Sequence, residues 1–185
     1  MALTPSSTLS PDFSLPSFQL PDVTTGQTVA VDDFAASKVL VVAVLCRHCP
    51  YVVHVLPTLI ELARQKMPEG AAFLGISAND AKTYPEDAPE RLADLVRERL
   101  IPFPILYDKS QNVARSLHAA CTPEFFVFGS NRKLFYHGRM DASTPGNNLP
   151  CTGDELAEAI DAALQDAPPP AVQQPSIGCN IKWRS

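Results

Sequence analysis

Basic residues are scarce in this sequence. Lys and Arg number 15 against 20 Asp and Glu, charged residues make up 19%, and the net charge is −5. No basic stripe runs along any segment, so nucleic acid is not an expected partner. Long apolar runs are also missing: none approaches the roughly 18 residues that a membrane span needs, so no membrane partner is expected. Residues 1–10 carry neither a basic start nor a continuous apolar core, so no secretory signal is expected. The five cysteines are an odd number without an export signal. A reducing, cytoplasmic compartment with free or reactive thiols is expected, not a disulfide framework. No internal repeat is visible, and 185 residues with 45% apolar content suit one domain with tails.

Proline is plentiful at 18 residues and concentrates at the ends and in loops. Residues 1–12, rich in Pro, Ser and Thr, read as a mobile N-terminal segment. The domain is expected over 13–166 and a Pro-rich tail over 167–185. That tail is expected to pack back on the domain, because Pro175 to Trp183 is apolar for a disordered end. Between these limits, Phe13–Phe18 and Gln27–Val31 flank Gly26 as a small hairpin. Asp32 to Phe34 suits a helical turn. Lys38–Leu45 and Ala71–Ser77 are apolar on both faces, as buried parallel strands are. Tyr51, Val52, Val55, Leu59, Leu62 and Ala63 recur at helical spacing over about 50–66, and Pro57 is expected to kink that helix. Further helices are expected over 89–100, over 110–117 with Ser110 as N-cap, and from Thr152 to about Leu164. Asn79–Pro89 reads as a long loop, and Ile105–Tyr107 as a short strand. Glu124–Phe128 and Lys133–His137 flank a Gly129 turn as a hairpin. Alternating strands and helices imply an α/β fold with three layers and a central mixed sheet.

One motif carries chemistry. Cys46-Arg47-His48-Cys49 stands where the apolar strand gives way to the long helix. The spacing lets the two sulfurs close a small disulfide ring, and a helix start favours a thiolate. Cys46 is the expected nucleophile, at the solvent side of the strand end. Cys49, one helical turn in, is the expected resolving thiol. Arg47 and His48 are expected to lower the Cys46 pKa. A structural zinc site normally needs four ligands, often as two cysteine pairs, and no second C-x-x-C exists. No metal is therefore expected at the dithiol. No cofactor is expected either, because the dithiol carries both electrons. Cys121 and Cys179 are possible additional redox residues, whereas Cys151, His54, His118 and His137 read as structural.

Beyond these residue types, Phe13-Ser-Leu-Pro16, Asp32-Asp-Phe34 and the strand before Cys46 resemble the opening of the peroxiredoxin/thiol-specific-antioxidant (AhpC/TSA) superfamily. Cys46 to Val52, Ala78 to Asp80, Tyr84 to Asp87, Ala120 to Phe126 and Pro175 to Trp183 are similar to a thioredoxin-like, peroxiredoxin-like group with a C-x-H-C-P-Y-V motif. The resemblance implies a thioredoxin-like fold with a peroxiredoxin-type N-terminal hairpin. It also implies that Thr122-Pro123 is a cis bond beside the C-x-x-C, whose backbone docks an extended substrate. Two departures matter. The peroxiredoxin pattern P-x-x-x-T/S-x-x-C is absent, with Ala43 three residues before Cys46. Leu45 replaces the Trp that precedes the thioredoxin pair, and His48 is instead similar to the third-position His of protein disulfide isomerase.

The expected function is thiol–disulfide exchange in redox homeostasis on disulfide-containing proteins or small thiols, recycled by a thioredoxin or glutathione system. The alternative is a peroxidase or antioxidant protein on a rebuilt peroxiredoxin scaffold. A third reading is a copper- or zinc-handling protein using Cys46, His48 and Cys49.

Overall fold

The computed structural model describes residues 3–184. Among the described residues, ten strands and four α-helices follow one another. β1 (Leu3–Pro5), β2 (Gln19–Pro21), β3 (Thr28–Ala30) and β4 (Val39–Val44) lead to α1 (Pro50–Lys66). Then come β5 (Ala71–Ser77), α2 (Pro89–Arg99), β6 (Ile105–Tyr107), α3 (Asn112–Ser116), β7 (Cys121–Thr122) and β8 (Glu124–Phe128). β9 (Leu134–Gly138), α4 (Asp154–Leu164) and β10 (Ile177–Asn180) complete the chain.

The central sheet has the order β6-β5-β4-β8-β9. β4 lies parallel to β5 and antiparallel to β8, so the sheet is mixed. Period-2 alternation explains why β4 is apolar throughout. Val39, Val41 and Ala43 enter one core with α1, α4 and Leu95 of α2. Leu40, Val42 and Val44 enter the other with α3, Phe18 and Leu20. Each strand residue thus feeds one of two layers flanking the sheet, which is the three-layer arrangement expected. Among the described residues no helix is long and apolar enough to cross a membrane.

Four local expectations change. Where a mobile segment is expected over 1–12, Leu3–Pro5 forms β1 and pairs antiparallel with β10. The Ser7 hydroxyl also donates to the His118 carbonyl at 3.0 Å. The reason is nonlocal, because the tail supplies the partner strand. The N-terminal hairpin pairs Gln19–Pro21 with Thr28–Ala30, later than Phe13–Phe18. Asp22 sets that turn, accepting the Thr24 N–H at 2.9 Å and the Thr25 hydroxyl at 3.0 Å. α3 starts at Asn112, after Gln111 in the left-handed region at φ 64°. The buried Asp108 carboxylate accepts the Ala114 N–H at 2.9 Å, and Ser110 supports it from outside the helix.

The tail is the third sheet's middle strand, in the order β1-β10-β7. Its far end is held by Asn79, whose side-chain oxygen accepts the Lys182 N–H at 2.8 Å. Gln111 donates to the Lys182 carbonyl at 2.9 Å. Arg115 stacks on Trp183 at 4.3 Å.

Candidate active site

β4 ends at Val44, and the Leu45 N–H still bonds to the Ile76 carbonyl at 2.8 Å. The chain then turns through Cys46, Arg47 and His48 into α1, with Cys49 as N-cap in an extended conformation and Pro50 at the first helical position. Pro at that position is pre-set for the helix and removes a donor that would have no partner. Cys46 and Cys49 are therefore both carried at the strand–helix junction, as expected. All five cysteines are free thiols.

The Thr122–Pro123 bond is cis. Thr122 reaches both sulfurs: its hydroxyl lies 3.3 Å from Cys46 Sγ, and its carbonyl accepts the Cys49 thiol proton at 3.1 Å. The structure thereby supplies a hydroxyl beside Cys46 that the residues just before it do not offer. Its source is β7, 76 residues away, so no local motif signals it. Thr122 and Pro123 are the residues expected to dock a substrate. Thr122 is already paired with Cys179 of β10, so the protein's own tail fills the edge on which a substrate strand would lie.

A second sulfur lies against the pair. Cys179 Sγ is 3.0 Å from Cys49 Sγ. Cys121 is close in sequence to the cis-Pro, but its sulfur turns away, toward the Pro123 carbonyl and Glu124 Oε2, each 3.7 Å off. Glu124 is buried, takes the Ala120 N–H at 2.8 Å and contacts His137 Nε2 at 2.7 Å. Burial first, and the Glu124 charge second, push the Cys121 pKa far up. Cys121 is thus favoured as a neutral thiol.

The tuning pair also behaves differently from expectation. The Arg47 guanidinium lies 3.5 Å from Glu98 on α2. His48 Nδ1 sits 2.6 Å from Asp87 Oδ2, and its ring stacks on Tyr84 with centroids 5.5 Å apart. The His48–Asp87 approach is a charge contact and not an aligned hydrogen bond, and neither ring nitrogen has a hydrogen-bond partner. Both side chains thus meet acids, while a His48 nitrogen also stays within 4.8 Å of Cys46 Sγ. Asp87 is fully buried in the 79–89 loop. It accepts the Arg47 N–H and the Asn79 amide, each at 2.7 Å. Asp87 is the functional residue that the sequence reading missed. The only local signal was an acid in a loop among the motifs shared with the similar group.

The thiolate is consequently displaced from the expected cysteine. Cys46 has its pKa raised well above the normal value, first by its hydrogen bond to Cys49, then by burial and by the Asp87 charge. Cys49 is lowered from 9.0 to about 4, first by the hydrogen bond from Cys46. Bonds from Cys179 and the Val52 amide in the first turn of α1 add to this and outweigh burial. Cys179 is pushed up to about 12, chiefly by burial. Within the pair, Cys49 is the sulfur favoured as the thiolate. Neither sulfur is open: Cys46 is 1% and Cys49 0% exposed, so the expected solvent position of Cys46 is also corrected. Cys46 is flanked by half-buried Arg47 and His48, while Cys49 is walled by Thr122 and Cys179.

Cys46 Sγ, a His48 nitrogen and an Asp87 oxygen lie within 4.8 Å of one another and are the donor set for a metal ion. Asp87 takes the place there that the sequence reading gave to Cys49. Cys151 is half-buried at the head of α4. His54 contacts the Ser143 hydroxyl at 2.8 Å, and Arg139 pairs with Glu155 at 2.6 Å.

Known structures resemble this chain in fold. An uncharacterised conserved protein from Geobacillus kaustophilus is 41% identical over 100% of this chain and 97% of its own, with a TM-score of 0.97. A hypothetical protein from Sinorhizobium meliloti is 38% identical over 98% of this chain and 99% of its own, also with a TM-score of 0.97. A putative thioredoxin from Neisseria meningitidis is 22% identical over 82% of this chain and 90% of its own, with a TM-score of 0.64, which shows the thioredoxin-like fold. No curated protein matches the chain. The sequence pattern of the Redoxin family matches residues 10–151, most of the chain, and spans the cysteine pair and the cis-proline, so the chain belongs to the Redoxin family.

Proposed function

We propose that this protein is a thiol–disulfide oxidoreductase working through Cys46 and Cys49. The carrying observation is a pair of free, adjacent thiols of opposed acidity, one raised and one lowered to about 4. Such a pair holds its own base. As Cys46 Sγ attacks a substrate disulfide, its proton passes to the Cys49 thiolate. A mixed disulfide forms on Cys46 and one substrate thiolate leaves. That thiolate takes the proton back from Cys49. The Cys49 thiolate then attacks Cys46 Sγ, closing the Cys46–Cys49 disulfide and releasing the second substrate thiolate. A thioredoxin or glutathione system in a reducing cytoplasm would return the dithiol.

The filled edge beside Thr122 favours small disulfides over extended protein segments. Turnover of glutathione disulfide and of insulin tests both points. The expected result is turnover of the small disulfide, lost in Cys46→Ser and Cys49→Ser, with insulin slower. Full turnover in Cys46→Ser contradicts the proposal.

The Thr122 hydroxyl, 3.3 Å from Cys46 Sγ, favours a second reading as a peroxidase. Against it stands Asp87, whose charge disfavours the Cys46 thiolate that would attack peroxide. Competition with a fast peroxidase separates the two. The donor set of Cys46, His48 and Asp87 favours a metal-handling reading. Stoichiometric zinc or copper(I) binding that blocks Cys46 alkylation would support it.

A further inference from the structure

The C-terminal tail brings a third thiol to the site, and the exchange chemistry above leaves it unused. Cys179 Sγ is 3.0 Å from Cys49 Sγ, and Cys179 is only 5% exposed. The placement is built by the backbone. On one side Cys179 pairs with Leu3 of β1, and on the other with Thr122 of β7, the residue that touches both active sulfurs. Gly178 makes the approach possible, since a Cβ there would collide with the Thr122 carbonyl. The strand is anchored at both ends. The Ser176 hydroxyl donates to the Gly138 carbonyl at 2.6 Å, and Lys182 is held by Asn79 and Gln111. Cys49 therefore lies between two thiols, Cys46 ahead of it and Cys179 behind.

We propose that Cys179 is a second exchange partner of Cys49, so that the disulfide of the oxidised site passes from Cys46 to Cys179. The proposal rests on the thiol–disulfide reading. Once a substrate has oxidised the pair to Cys46–Cys49, Cys179 loses its proton and attacks Cys49 Sγ. The Cys49–Cys179 bond forms and the Cys46–Cys49 bond breaks. Its electron pair leaves on Cys46 Sγ, which takes up one proton. No net oxidation occurs, so no further oxidant is consumed. The product carries its disulfide between Cys49 and Cys179 and again has a free thiol at Cys46. A reductant would then act on a disulfide that ties α1 to the tail. The tail thus occupies the edge where a substrate strand would dock and presents a sulfur there, as an internal substrate.

Mass mapping of the wild-type protein tests this without depending on any variant's folding. The protein is oxidised with glutathione disulfide, quenched in acid at increasing times, alkylated and digested. Cys46–Cys49 peptides are expected early. Cys49–Cys179 peptides are expected later, with Cys46 recovered alkylated. In Cys179→Ser, alkylation of Cys46 after oxidation is expected to be lost, because its disulfide has nowhere to go. Finding Cys46–Cys49 alone at every time overturns the relay and leaves the thiol–disulfide function standing. Finding no disulfide on Cys49 at all overturns both.

Discussion

Replacing Asp87 by Asn probes the group that governs this site from behind. Asp87 is fully buried and accepts the Arg47 N–H and the Asn79 amide, each at 2.7 Å, with His48 Nδ1 at 2.6 Å. Hydrogen bonds to charged groups contribute about 1.5–3 kcal/mol each. Asn keeps the shape and one acceptor, which can still serve Arg47. Its NH2 then meets the Asn79 NH2, donor against donor, and His48 loses its counter-charge. We expect a cost of about 2–4 kcal/mol. At about 2–4 °C per kcal/mol for a chain of this size, Tm should fall by roughly 4–16 °C. The chemistry should move the other way. The Asp87 charge raises the Cys46 pKa, after the Cys49 bond and burial, so its removal lowers that pKa. Iodoacetamide should then label Cys46 faster at a given pH. Calorimetry and a pH series of labelling rates read both effects. A Tm within about 2 °C of wild type, together with an unchanged labelling profile, would refute the role assigned to Asp87.

Ultraviolet thiolate absorbance of the reduced protein should rise near pH 4, where Cys49 ionises, with the Cys46 step well above 9. The acid step should vanish in Cys49→Ser, and a single rise near 9 would contradict it. The stability sign follows. The lowered Cys49 pKa contributes stability that is complete above 9 and lost as pH falls toward 4, so urea midpoints of wild type and Cys49→Ser should converge in acid. Hydrogen peroxide reduction should be slow beside a dedicated peroxidase, and Thr122→Val should slow it further, since positioning sets such rates. Equal peroxide rates in both proteins would remove the Thr122 hydroxyl from the argument. Gly178→Ala should displace β10, because its Cβ meets the Thr122 carbonyl. Faster labelling of Cys49 and faster insulin reduction are expected, and unchanged insulin turnover would contradict the filled edge.

The parts of the fold legible in the sequence were those with a local signature. α1 runs from Pro50 to Lys66 because apolar spacing and the Pro at its first position mark it. β4 and β5 are legible as unbroken apolar runs. The C-x-x-C between β4 and α1 announces the site, and the upstream pair made the cis bond at Thr122 an inference from resemblance. The missing parts are all nonlocal. β1 is three residues with a Pro, and it becomes a strand only because β10 lies beside it. Arg47 and His48 read as cations near sulfur, but Glu98 and Asp87 claim them from a helix and a loop that no local pattern ties to the motif. Charge in a sequence does not say which neighbour receives it. The same limit hid Cys179, whose apolar segment predicted packing on the domain but not which sulfur it would meet.

The most direct test of the central claim is a glutathione redox titration of the wild-type protein with acid trapping, alongside Cys49→Ser. A thiolate held at about 4 stabilises the reduced form. The account predicts a two-electron transition less reducing than thioredoxin's roughly −270 mV and nearer the isomerase value of about −180 mV. Because Cys49 is the sulfur common to every proposed disulfide, that transition should be absent from Cys49→Ser. A transition that persists in Cys49→Ser, or a wild-type potential at or below thioredoxin's, would contradict the account.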